Sequence, residues 1–220
     1  MSDKLRLRFS KTGRAVYISH LDLMQTMQRA FSRAGLPLRY SEGFNPHPLI
    51  SVALPLSVGT ASVCELMDFR LRDETDPAGI AERLTAALPE GIEALEVYEP
   101  ERKSALIKWL LVEGRFDYDE RDPAEAAAAL RDFYGRESIL IEKKTKRGVG
   151  MTELRPHIRE LRFTPLERAV LVEAKVSAQE PTVNPELLAE ALRQLAPGLA
   201  PDFACFRRIE TFDADGKVFR

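Results

Sequence analysis

Between Tyr40 and Pro48 the run YSEGFNPHP sets Tyr40, Phe44, Asn45 and His47 among two prolines and a glycine. Pro46 and Pro48 fix their own φ and push Asn45 and His47 towards extended backbone, so these side chains are presented with little entropy left to lose. Two flat rings, an amide and an imidazole are groups that stack on bases and read base edges. Arg29, Arg33 and Arg39 come just before, guanidinium groups suited to phosphate. A second basic stretch, Lys143, Lys144, Lys146 and Arg147, places four cations in five positions ahead of glycines, and Arg155 follows in an ELRP run. Four like charges on one turn repel one another unless an anion is near, and phosphate is the common one. The plainer alternatives remain open: an ordered connection whose aromatics cover the core edge, and a solvated charged surface.

Other chemistry is thinly represented. Cys64 and Cys205 stand 141 positions apart, too sparse for a disulfide framework, a zinc ribbon or an iron–sulfur cluster. His20, His47 and His157 are scattered without ligand spacing, and neither a glycine-rich phosphate loop nor a G-x-S-x-G elbow occurs. No cofactor or metal is therefore expected. His20, at a helix start with Tyr17 three residues before it, is a weak candidate for a general acid. With 30% charged residues and a net charge of -2 over 220 residues, any nucleic-acid contact must be local. The N-terminal MSDKLRLRFS lacks an apolar signal-peptide core, and no apolar run is long enough to span a membrane, so the expectation is a cytoplasmic protein with no membrane partner.

The elements that must hold these groups can be read from periodicity. Leu5, Leu7 and Phe9 alternate with polar residues as in a half-buried strand. Ser19 and Asp22 cap a helix whose stripe is Met24, Met27, Phe31 and Ala34, ended by Gly35 and Pro37. Strands are expected over Leu49–Leu56 and Ser62–Leu71, a helix from Asp76-Pro77, and a strand over Ile92–Tyr98, with Leu5, Met27, Phe31, Leu54 and Leu84 in the core. After a polar linker at Pro100–Ser104 the order recurs: strand Ile107–Phe116, helix Asp122–Tyr134, strand Ser138–Lys144, strand Ala169–Ser177, helix Asn184–Leu195, strand Phe203–Phe212. The fold class is α+β, two tandem ferredoxin-like (β-α-β-β-α-β) halves over residues 1–100 and 105–220, the second with a basic hairpin insertion at about 143–165.

The SHLDL start, the RA-x-x-R-A-G-LP passage, the GFNPHP loop and the basic turn with ELRP are together specific. On them the chain resembles the radical-SAM-associated domain of unknown function, in its free-standing form. That resemblance implies a separately encoded radical-SAM protein as partner, with RNA rather than DNA as the expected nucleic acid. The expected function is an RNA-binding accessory that presents transfer or ribosomal RNA to the partner, more a binder than an enzyme. The doubled fold is also similar to that of the CRISPR RNA-processing endonucleases, which implies the alternative of a metal-independent RNA endonuclease using His20 or His47. Where those enzymes carry a glycine-rich loop, this chain has Leu195 to Pro201 with one glycine. A pure protein-interaction subunit is the third reading.

Overall fold

A computed structural model describes residues 4–145 and 148–220. It is mixed α+β, and its chain divides into two compact units, one running through Leu106 with Arg220 and the other Ile107–Phe219. In the first unit the elements follow as β1 Leu5–Lys11, α1 His20–Arg33, β2 Ile50–Val52, β3 Ala61–Phe69, α2 Ile80–Ala87 and β4 Ile92–Tyr98. β1 lies between β3 and β4, antiparallel to both, with Leu7 opposite Met67 and Val97. β2 pairs antiparallel with β3, setting Ile50 opposite Phe69. Leu7, Phe9, Met27, Phe31, Phe69, Ile80 and Leu84 form the core, and the Phe31 and Phe69 rings lie 4.9 Å apart.

Local chemistry sets the boundaries. Ser19 Oγ accepts from the Asp22 N–H at 3.1 Å and donates to its carboxylate at 2.7 Å, closing the first turn of α1. At the other end Gly35 takes φ +65, so that the Leu36 N–H reaches the Phe31 carbonyl and the Gly35 N–H that of Ser32. This is a Schellman stop, sealed by Leu36 and Phe31 in the core. The buried stripe is Leu23, Met27, Ala30 and Phe31, displaced from the expected Met24 and Ala34, which are only half-buried. Leu54 is half-buried as well, because β2 stops at Val52 and the chain bends over Ala53 and Leu54. α2 starts at Ile80 instead of Pro77: Gly79, at φ +77, interrupts the turn that Asp76 begins by accepting from the Ala78 N–H.

β1 departs from the expected half-buried alternation, since Arg6 and Lys11 are buried along with the apolar face. Arg6 can be buried because Asp68, its cross-strand neighbour, receives Nε at 2.6 Å and a terminal nitrogen at 3.1 Å. Lys11 Nζ donates to the Val16 and Ile18 carbonyls at 3.1 and 3.2 Å, fixing the short turn that leads into α1.

The second unit contains β5 Trp109–Asp117, α3 Pro123–Tyr134, β6 Leu140–Thr145, β7 Gly148–Glu153, β8 Ile158–Pro165, β9 Ala169–Ser177, α4 Glu186–Leu195 and β10 Phe203–Phe212. Its sheet runs β10-β5-β9-β8, antiparallel throughout. β6 and β7 form a separate two-stranded hairpin. The strand expected over Ser138–Lys144 therefore exists, but it is not a member of the main sheet. The position beside β9 belongs to β8, which the sequence pattern had assigned to the insertion. β8 buries only Ile158 and Phe163, and its register shifts between Arg159 and Arg162, where Glu160 has φ +49. A bulge of that kind erases the period-two signal. Gly114 on β5 leaves room for the Phe206 ring of β10: a Cβ there would lie 2.6 Å from it.

Candidate functional site

The α1 stop delivers the chain directly to the loop. Its stem is closed by a three-way backbone exchange. Leu49 N–H donates to the Arg39 carbonyl at 2.8 Å, Arg39 N–H to Arg70 at 2.8 Å, and Arg70 N–H to Leu49 at 3.1 Å. Two residues further in, past the Tyr40–Pro48 bridge, Ser41 and His47 staple the two arms. Ser41 N–H donates to the His47 carbonyl at 2.8 Å, His47 N–H to Ser41 Oγ at 3.1 Å, and Oγ lies 2.9 Å from Nδ1. Beyond the staple only five residues, Glu42 to Pro46, make the tip. Gly43 at φ +119 supplies a backbone angle that side-chain-bearing residues rarely adopt.

Phe44 stands at that tip fully exposed, and Tyr40 at the stem is half-exposed at 52%. Phe44 therefore covers no core edge, whereas Tyr40 keeps about half its surface against the protein, over Phe31 and Leu36. The stem is held by main-chain hydrogen bonds, so the tip needs no apolar cover to keep its shape. A cleft lies against either arm. One, about 300 Å³, is lined by Gln28, Ser32, Tyr40 and Arg72 above Phe31 and Leu36. The other, about 350 Å³, is lined by Lys4, His47, Asp68 and Arg70 beside Ile50 and Phe69.

The carboxylate of the second cleft is already engaged. Burial pushes the Asp68 carboxyl up, but hydrogen bonds from Arg6 and Lys4 outweigh it and hold the group below its ordinary range. Lys4 Nζ is 2.7 Å from it. The first cleft has no carboxylate in its lining, and Arg72 brings the one formal charge.

The sequence-derived candidates separate into groups. Arg29, Arg39, Asn45 and His47 are exposed around the loop or on α1. Arg33 is committed elsewhere: its guanidinium donates to the Ala87 carbonyl, while Arg83 donates to Ala34 and Gly35 at 2.7 and 3.1 Å, so the two fasten α1 to α2. His20 is exposed at the opposite end of α1, a helix of 14 residues and hence about 20 Å away from the loop. His20 and the loop residues are not brought together. Lys143, in the second unit, donates to the Thr182 carbonyl at 3.0 Å, and Arg155 to that of Ile158 at 3.2 Å. Lys144 lies on β6, and Lys146 and Arg147 fall outside the described residues.

Gln28, Lys4, Arg70 and Arg72 escaped the sequence reading. The two arginines of FRLRD, just past the end of β3, were the available signal.

Among the described residues no group of three or more His, Cys, Asp and Glu side chains could hold a metal ion. None of their helices is long and apolar enough to cross a membrane. A third cleft, of about 630 Å³, sits in the second unit where Pro197, Gly198 and Ala200 face Asp119, Glu120, Asp122, Glu125 and Asp202. That acidic lining opposes a phosphate backbone.

Residues 4–185 match the family described as "Uncharacterized protein conserved in bacteria (DUF2344)", and the chain belongs to it. No curated protein matches the chain. Among solved structures, a chain of a Cbf5-Nop10-Gar1 complex is similar at 11% identity with a TM-score of 0.49, covering 94% of this chain and 48% of that one. This protein thus spans about half the length of that relative. An unknown protein from Galdieria sulphuraria is similar at 10% identity with a TM-score of 0.24, covering 94% and 98% of the two chains. At these TM-scores neither likeness carries an argument about this protein.

Proposed function

We propose that this family member is an RNA-binding accessory protein that holds structured transfer or ribosomal RNA for a radical-SAM partner. Its scaffold is read as two tandem ferredoxin-like halves. The strand orders β4-β1-β3-β2 and β10-β5-β9-β8, each with two helices, support that reading. The partner rests on the resemblance of the SHLDL and GFNPHP motifs.

One observation carries the RNA reading. Phe44, wholly exposed, crowns a loop whose stem is locked by hydrogen bonds, with Arg29, Arg39 and Arg72 exposed on the flanking elements. Covering a ring of that size is worth roughly 1.5–3 kcal/mol, so leaving it in water forgoes that gain until a partner arrives. Aromatic stacking with cations at the margin is how single-stranded and looped RNA is held.

The test is a gel shift with bulk cellular RNA, followed by inspection of the RNA for cuts. Retained, intact RNA is expected. Cleaved RNA would move the nuclease reading forward, and no retained RNA the protein-interaction reading. The basic turn adds a salt signature. If Lys143, Lys144, Lys146 and Arg147 each neutralise a phosphate, at roughly -0.7 per contact they contribute about -3 to the slope of log affinity against log salt.

A further inference from the structure

We infer that the cleft at the C-terminal end of α1 binds a nucleoside monophosphate unit, its base against Tyr40 and its phosphate on Arg72. This rests on the RNA reading only for the source of that unit. About 300 Å³ is at the lower end for a ligand pocket, room for one small ligand. The floor is apolar, with Phe31 and Leu36 wholly buried beneath it. Around the rim stand the Gln28 amide, the Ser32 hydroxyl, the Tyr40 phenol and the Arg72 guanidinium. The Gln28 amide offers a donor and an acceptor to a base edge. An apolar floor, the Tyr40 ring, neutral hydrogen-bonding groups and one guanidinium form a nucleotide's complement.

Electrostatics point the same way. The C-terminus of a helix ordinarily repels an anion, because its last carbonyls point outward. Here the Ala30, Phe31 and Ser32 carbonyls accept from the Ala34, Leu36 and Gly35 N–H groups, and Arg83 donates to the Ala34 and Gly35 carbonyls just beyond. No carboxylate lines the cleft, so a phosphate there faces a net positive wall.

The unit could come from an RNA strand, splayed into the cleft, or from a free nucleotide. The experiment uses the full chain, with AMP, adenosine and a short oligoadenylate as probes, followed by amide chemical shifts. Three outcomes support the inference together. AMP moves the amides of Gln28, Ser32, Tyr40 and Arg72. Adenosine binds at least about tenfold weaker. Arg72→Gln loses AMP affinity by roughly ten- to a hundredfold, as for a charge-assisted phosphate contact.

Phe44→Ala should leave AMP binding unchanged, because the tip residue is not in the cleft lining. Oligoadenylate weakened by both substitutions assigns the unit to RNA. AMP binding without oligoadenylate binding assigns it to a free nucleotide and sinks the RNA reading alone. Oligoadenylate binding that depends on Phe44 but ignores Arg72→Gln, with the cleft amides unmoved by AMP, overturns this inference and leaves the RNA reading standing. If nothing binds, both fall.

Discussion

Replacing Asp68 by asparagine tests how the first unit tolerates a buried arginine in its central strand. Arg6 has no exposed surface, and Asp68 receives it through two hydrogen bonds at 2.6 and 3.1 Å. Asparagine keeps the shape but removes the charge and turns an amide donor towards the guanidinium. Removing one partner of a buried pair costs about 3–5 kcal/mol, against a total stability of about 5–15 kcal/mol. The Lys4 contact adds little, because that side chain is a third exposed. Urea unfolding followed by far-UV circular dichroism should show the midpoint of the first unit lowered by about 2 M, taking an m-value near 2 kcal/mol/M. The pH dependence has a definite sign. Asp68 is held below its ordinary pKa, so its contribution is complete above the unfolded carboxylate value of about 4 and fades as pH falls through the folded value. The asparagine variant lacks that acid-side loss. A midpoint shift under about 0.5 M would refute the claim that the Arg6–Asp68 pair sustains this strand.

Three further outcomes follow from the geometry. Gly35→Ala, at φ +65, should cost about 1–2 kcal/mol in thermal or urea unfolding, while Gly150→Ala, with open space around its Cβ position, should cost far less. Gly114→Ala should destabilise the second unit by about 1–3 kcal/mol through its clash with Phe206, and adding Phe206→Leu should recover part of that in a double-mutant cycle. Burial pushes the Tyr118 hydroxyl, a donor to the Leu199 carbonyl, up to about 12. The unfolded chain loses that proton near pH 10 while the folded one keeps it, so stability should fall between pH 10 and 12 in denaturation curves, and less so in Tyr118→Phe.

Where sequence signals were local, they survived into the structure. Asp122 caps α3 through the Ala124 and Glu125 N–H groups, and β9 and β10 occupy the expected Ala169–Ser177 and Phe203–Phe212. Misplacements arose where a tertiary contact or a backbone irregularity intervened. β8 hid behind its bulge at Glu160, where Lys175 holds the Glu160 carboxylate at 2.7 Å. Arg6 and Lys11 look like surface residues until Asp68 and the Val16 carbonyl are placed beside them. At the site, Tyr40, Phe44 and His47 were visible as residue types. Their arrangement was not: the Ser41–His47 staple leaves Phe44 outward, and Arg72 reaches the same cleft as Gln28 from the end of β3. Arg33 resembled a phosphate ligand because nothing in its neighbours announces Ala87, 54 positions on.

The most direct test of the RNA-binding account is the affinity of Phe44→Ala for the RNA that the wild-type protein retains. Phe44 makes no buried contact, so its removal should change unfolding stability by less than about 0.5 kcal/mol. Loss of one stacked base should meanwhile cost about 1–3 kcal/mol of binding, roughly five- to 150-fold in Kd, with the salt slope unchanged because no phosphate contact is lost. Equal RNA affinity for wild type and Phe44→Ala would contradict the account, leaving the exposed ring of the GFNPHP loop without a base to stack on.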